Sequence, residues 1–199
     1  MFLRKLSGAV ALAAMAASSH AAVTVFSDNF DADKTADNAT QFLHGWTVSN
    51  GTVDLDGQGF VHNELPGHGR YVDLDGSTKK AGLLSNSISL QAGVDYTLSF
   101  GLAGNQRKWG DDIVDVAFGT VHQTYVMHQA DALTTYTIDF KPTVSAVYQF
   151  SFQNRGGDNR GAFLDNVAVT AAVPEPSGYA MLLAGLAALG LTSAARRRR

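Results

Sequence analysis

The chain has no cysteine among its 199 residues. That excludes disulfide staples, thiol chemistry and cysteine-ligated zinc, so an exported domain built from it depends on its hydrophobic core or on bound metal. His44, His62, His68, His122 and His128 show no metal-ligand spacing such as H-x-x-x-H on a helix, which argues against zinc altogether. Between residues 22 and 172 there is no amphipathic helical periodicity, no G-x-S-x-G elbow and no phosphate-cradling loop. Basic residues are also scarce in that span. Nine Lys and Arg stand against seventeen Asp and Glu, a balance of −8 that the whole-chain value of −3 conceals. With no basic stripe to neutralise phosphates, nucleic acid is excluded as a partner. Sixteen of the seventeen acids are Asp, which suits turns and oxygen-rich cation sites better than helix faces.

What the chain does have begins at its two ends. Arg4 and Lys5 precede an apolar, small-residue run over residues 6–17, followed by Ser19-His20-Ala21. This reads as a secretory signal peptide over residues 1–21, removed by signal peptidase after Ala21, because the run is too short to span a membrane. At the other end Pro174, Glu175 and Pro176 break secondary structure within residues 173–177. A charge-free apolar run over residues 178–195 follows, and Arg196, Arg197, Arg198 and Arg199 stop it. At about 1.5 Å per residue the run reaches roughly 27 Å, enough for a single transmembrane helix across a hydrocarbon core of about 30 Å. The arginines would remain cytoplasmic. Residues 22–172 are then the exported passenger, long enough for one domain with its own core.

The C-terminal segment resembles the PEP-CTERM sorting signal of exported proteins of Gram-negative bacteria, matching in order the Pro174-Glu175-Pro176 triplet, the apolar helix and the terminal arginines. The resemblance implies a membrane-embedded processing enzyme of the exosortase type as partner. It also implies transient inner-membrane anchoring followed by delivery to the cell surface or extracellular matrix. The helix and arginines alone would serve a permanent anchor equally well, and the Pro-Glu-Pro triplet is what distinguishes the two.

Within the passenger the dominant signal is period two. Tyr96, Leu98, Phe100 and Leu102 alternate with Thr97, Ser99 and Gly101; Val114, Val116 and Phe118 repeat the pattern. So do Tyr136, Ile138 and Phe140, and then Tyr148, Phe150 and Phe152. Weaker strands are expected over residues 23–26, 46–49, 52–55, 71–74, 83–90, 122–127 and 163–170. About ten short strands punctuated by Gly, Asn and Asp predict an all-β fold, a two-sheet jelly-roll sandwich. Long loops are expected over residues 28–44, 56–69, 104–112 and 154–161, where binding groups on a rigid sandwich usually sit.

Five blocks carry a second resemblance: Gly45-Trp46-Thr47-Val48, Gly51-Thr52-Val53-Asp54-Leu55, Tyr71-Val72-Asp73-Leu74-Asp75-Gly76, the run from Tyr96 to Asn105, and Leu164-Asp165-Asn166-Val167-Ala168-Val169. Their order resembles the choice-of-anchor C type of extracellular domain, which implies a galactose-binding-like β-sandwich. Where that family opens on Asn-Gly-Ser-Phe-Glu, this chain has Asp28-Asn29-Phe30-Asp31, so Asp31 replaces the glutamate and is one methylene shorter. Asp165 shares parity with Phe163, Val167 and Val169, so an unbroken strand would aim it into the core, where a carboxylate needs a partner; a bulge would turn it outward. In similar carbohydrate-binding sandwiches a structural calcium joins the start of the first strand to an Asp of the last. Here that resemblance implies a metal site of Asp28, Asp31 and Asp165.

The loop over residues 104–112 combines an aromatic plane, amides and both signs of charge. A pyranose presents an apolar face to a Trp and hydroxyls to Asn, Asp and Arg. Asn105, Arg107, Trp109 and Asp111, with Arg155 and Asn159 from the loop over residues 154–161, are therefore the candidate carbohydrate contacts. Trp46, inside a strand, is expected in the core. The acid pairs Asp54/Asp56, Asp73/Asp75 and Asp111/Asp112 could in principle supply glycosidase carboxylates, but Asp-rich turns account for them equally. The expectation is an exported, non-catalytic β-sandwich that binds extracellular polysaccharide. A structural surface or matrix protein without a ligand site is the alternative, and a weak polysaccharide hydrolase the third.

Overall fold

The computed structural model describes residues 21–173. The expected signal peptide, Pro174-Glu175-Pro176, the expected transmembrane run and the terminal arginines lie outside the described residues, apart from Ala21 and Val173 at the two margins. Among the described residues no helix is long and apolar enough to cross a membrane. Residues Ala22–Val173 form one compact unit.

The period-two segments pair into two sheets. The strands are β1 (Ala21–Asp28), β2 (Ala36–Ala39), β3 (Thr47–Ser49), β4 (Val53–Gly57), β5 (Arg70–Asp73), β6 (Leu83–Leu90), β7 (Tyr96–Ala103), β8 (Asp112–Phe118), β9 (Val121–Met127), β10 (Thr134–Phe140), β11 (Ala146–Asn154) and β12 (Phe163–Val173). One sheet has seven strands in the order β10-β7-β12-β5-β4-β2, with β1 also pairing β12; the other has five, in the order β3-β6-β11-β8-β9. This is the two-sheet sandwich the alternation predicts. β2 falls inside the span expected to be an open loop. Its sequence, Ala-Asp-Asn-Ala, has no alternation to reveal it, and its ladder to β4 shifts between Ala36 and Ala39.

The inner faces are apolar. Leu98, Phe100 and Leu102 of β7 face Phe150 and Phe152 of β11 and Val114, Val116 and Phe118 of β8, all with at most 1% exposure. Phe100 and Phe152 meet edge to face at 5.1 Å, joining the two sheets. Trp46 is buried, as expected, packing on Phe26 at 5.8 Å and Phe150 at 5.3 Å.

The last strand is not continuous. Asp165 pairs with Gly101, but the next paired residue, Ala168, faces Ser99, so a bulge lies between them. Asn166 takes the left-handed conformation there, at φ 52°. Leu164, Val167 and Val169 therefore share the main core, while Phe163 joins a smaller cluster with Leu65, Tyr71 and Ala103. The parity that would aim Asp165 into the main core is broken by this one residue.

Candidate functional site

The small cluster lies on the face of the seven-stranded sheet that points away from the main core. In β4, Val53 and Leu55 belong to that core, so alternation puts Asp54 and Asp56 on the opposite face; Val72 of β5 does the same for Tyr71 and Asp73. The β4–β5 register sets Asp54 beside Asp73 and Asp56 beside Tyr71. The loop between these strands folds back over them. The backbone amides of Glu64 and Leu65 donate to the Tyr71 hydroxyl at 2.6 and 3.1 Å. Burial pushes the Tyr71 phenol up to about 12, against the pull of these two amides.

Arg107 enters this face from the loop after β7. Its Nε donates to Glu64 at 3.0 Å, one terminal nitrogen to Asp73 at 2.5 Å and the other to Asp56 at 3.0 Å, while the guanidinium lies 5.1 Å from the Phe163 ring centre. One cation thus serves three carboxylates, and the two Asp side chains are almost wholly buried. Burial dominates their titration. It raises Asp73 well above the ordinary carboxylate range and Asp56 to about 7, against the pull of Arg107. Arg107 itself is raised: burial works against its charge, but Asp73 and Glu64 outweigh that.

Beside this cluster is a cavity of about 250 Å³. Asp54 and Ser77 line one side, His62 and Glu64 another, with Arg107, Asn159 and Arg160 completing it. The loops over residues 104–112 and 154–161 meet here, for the Arg160 guanidinium lies 3.7 Å over the Trp109 ring. Trp109 remains 60% exposed, and Asn159 holds a side-chain oxygen that is buried without a hydrogen-bond partner.

The six residues expected to contact sugar are divided by this geometry. Arg107 and Asn159 line the cavity and Trp109 stands at its margin. Asn105 is turned inward: its amide donates to the Gly110 carbonyl and to Asp112, and its oxygen accepts the Arg107 amide, so it shapes the loop rather than facing a ligand. Arg107 lines the cavity but has all three nitrogens engaged. Asp111 pairs with His128 at 2.8 Å on the surface. Arg155 belongs to the other sheet, where it holds Asp115 of β8 with two bonds of 2.8 and 3.0 Å and depresses its titration. Sequence reasoning missed Arg160, Glu64 and His62 as lining groups. The alternation in Val53-Asp54-Leu55-Asp56 already placed two acids on this face, but nothing local showed that the loops would fold over it.

Asp28, Asp31 and Asp165 do share a neighbourhood. Burial first, then the charges of Asp31 and Asp28, raise Asp165 to about 7. Their oxygens, however, accept N–H donors. Asp28 takes the Phe30 amide at 2.8 Å and the Trp46 indole at 2.9 Å; Asp31 takes the Arg70 amide and the Asn29 side chain, each at 2.8 Å. Asp165 takes the backbone and side-chain nitrogens of Asn166 at 2.6 and 3.0 Å. Among the described residues no three Asp, Glu, His or Cys side chains gather as a metal-holding group. In this arrangement Asp28 ties the end of β1 to Trp46 beside β3, Asp31 ties the following turn to Arg70 of β5, and Asp165 braces the β12 bulge.

Residues 172–199 match the model of the PEP-CTERM protein-sorting motif. The tail is a PEP-CTERM sorting motif. No curated protein matches the sequence. Among solved structures, the CBM22-1 xylan-binding domain of Paenibacillus barcinonensis Xyn10C is similar at 11% identity and a TM-score of 0.51, covering 79% of this chain and 99% of that one. The family 35 carbohydrate-binding module from Clostridium thermocellum is similar at 13% identity and a TM-score of 0.47, over 75% and 100%. The CBM22-1–GH10 modules of the Clostridium thermocellum xylanase 10B follow at 14% identity and a TM-score of 0.48, and the match spans 29% of that longer protein. At such identities the likeness is one of fold, the β-sandwich of carbohydrate-binding modules.

Proposed function

We propose that the passenger binds carbohydrate without catalysis, and that the tail delivers it through an exosortase-type enzyme to the cell surface or the extracellular matrix. The observation that carries the binding reading is the meeting of two loops at one cavity, with the Trp109 indole exposed beside the Asn159 amide and the Arg160 guanidinium. Indole faces stack on the apolar side of a pyranose, and planar amides and guanidinium groups match its hydroxyls. The xylan-binding module with the same fold supports a polysaccharide as ligand. Extracellular polysaccharide of the producing cell is the substrate class that fits an exported, processed protein.

The acids lining the cavity are committed elsewhere. Asp54 accepts the Asn38 and Ser77 amides and the Ser77 hydroxyl, and Glu64 holds Arg107. Neither is a free carboxylate ready to act on a glycosidic bond. Signal peptidase and the exosortase-type enzyme are the processing partners, with inner-membrane anchoring as a passing stage. That so many polar groups at the cavity are already paired favours a second reading, a matrix protein whose loops are structural only.

Full-length protein in a non-glycosidic detergent, applied to a polysaccharide array, separates the two. Retention of at least one glycan, weakened about tenfold or more by Trp109→Ala with folding unchanged, is the expected result. No retention on any glycan returns the matrix reading, and retention indifferent to Trp109→Ala moves the site elsewhere on the sandwich.

A further inference from the structure

A second group of buried oxygens lies under the loop over residues 154–161, next to Asp73, whose oxygen not used by Arg107 accepts the backbone amides of Asp75 and Gly161 at 3.0 and 2.8 Å. Asp75 is fully buried, and one of its oxygens accepts the backbone amides of Gly157 and Asp158 at 2.8 and 3.4 Å. Its other oxygen has no partner. The loop backbone comes this close because residue 156 is glycine: a Cβ there would sit 2.5 Å from the Asp75 carboxylate. Two residues earlier, Asn154 is 3% exposed and its side-chain nitrogen donates to Asp112 at 3.3 Å, leaving the Asn154 oxygen buried and unpartnered as well. Asp112 is itself 7% exposed, and the charges of Asp158 and Asp75 reach it.

Neither Asp75 nor Asp112 forms an ion pair among the described residues; the salt bridges use other acids. Two buried carboxylates with no cationic side chain are costly unless a counter-charge joins them. The available donors are carboxylate and amide oxygens only, with Asp158 exposed at the loop surface. That donor set suits a hard cation accepting six to eight oxygens in irregular geometry, which is calcium, and disfavours zinc, which wants His or Cys.

We propose that Asp75, Asp112 and Asn154 hold a calcium ion that fastens the loop over residues 154–161 to the end of β5. The site uses none of the Asp28, Asp31 and Asp165 oxygens, and its test does not rely on glycan binding. Full-length protein in detergent, stripped with a chelator and then dialysed, is titrated with calcium chloride by calorimetry and followed by thermal unfolding. Wild type is expected to bind calcium and to melt at a higher temperature with it. Asp75→Asn keeps an oxygen for the two loop amides but loses the charge, and is expected to weaken binding at least tenfold; Asp165→Asn is expected to leave it unchanged. If Asp75→Asn fails to fold, Asn154→Asp serves instead, adding a charge at a retained oxygen and tightening binding. No calcium-dependent heat or melting shift in wild type overturns the proposal, as does binding lost in Asp165→Asn but kept in Asp75→Asn.

Discussion

Arg107 carries more of the outer face than any other residue. It is bonded to acids from three segments, Asp56 of β4, Asp73 of β5 and Glu64 of the intervening loop. A buried ion group of this kind adds little net stability over an apolar replacement of the whole set, but removing one partner leaves the rest uncompensated. Arg107→Met is therefore expected to destabilise the passenger by about 3 kcal/mol at pH 8, measured by urea unfolding. The cost is expected to shrink at pH 5, below the value of about 7 to which Asp56 is raised, because a protonated Asp56 needs no counter-charge. An equal loss at both pH values would mean that packing on Phe163, and not charge, is what Arg107 supplies. Trp109 is the contrasting residue. It is largely exposed, and its contact with Arg160 is worth about 0.5–1 kcal/mol. Trp109→Ala is thus expected to shift the unfolding free energy by less than about 1 kcal/mol, which keeps any loss of glycan retention separable from loss of fold.

At the scale of elements, strands whose alternation is strict were legible and irregular ones were not. β6 spans Leu83–Leu90, the same eight residues the pattern predicts, β8 alternates buried and half-buried positions along its whole length, and β7 does so from Tyr96 to Phe100. β2 was illegible because four small or polar residues pair without an apolar face. The Asp165 parity argument stopped at the bulge, since a residue that changes face leaves no trace in residue type beyond an Asn tolerant of positive φ. The site was half legible for the same kind of reason. Composition picked out the two loops that meet, but inward turning of Asn105 depends on Asp112 at the start of β8, and capture of Arg107 on strands 34 and 51 residues away in sequence. The bulge gives its own prediction. Asn166→Val places a β-branched residue at φ 52° and removes a bond to Asp165. It is expected to cost about 1–2 kcal/mol in urea unfolding, and Asn166→Gly distinctly less. Equal costs would show that the lost bond, not the backbone, matters.

For the whole molecule the consequence of burying acids at several places is a stability that depends on pH in a direction opposite to that of most acid-denaturing proteins. Asp56 and Asp165 stand at about 7 in the folded protein and Asp112 at about 6, all raised by burial. In the unfolded chain each returns to an ordinary carboxylate value near 4. Between those limits the folded state holds protons that the unfolded state has released. The stabilisation is complete below about pH 4 and is lost as pH rises through 6 to 7. His128, raised by its bond to Asp111, acts in the same sense at the top of that window, and the depressed Asp115 contributes an opposing gain that is already complete near pH 4. With chelator present, so that no cation replaces the protons, the melting temperature is expected to fall by at least about 4 °C from pH 4.5 to pH 7.5. Asp56→Asn should flatten that slope, because the amide keeps the hydrogen-bonding oxygen for Arg107 and has no proton to lose. A protein that is instead more stable at pH 7.5 would mean that these carboxylates are ionised in the fold and are compensated by a charge other than a proton.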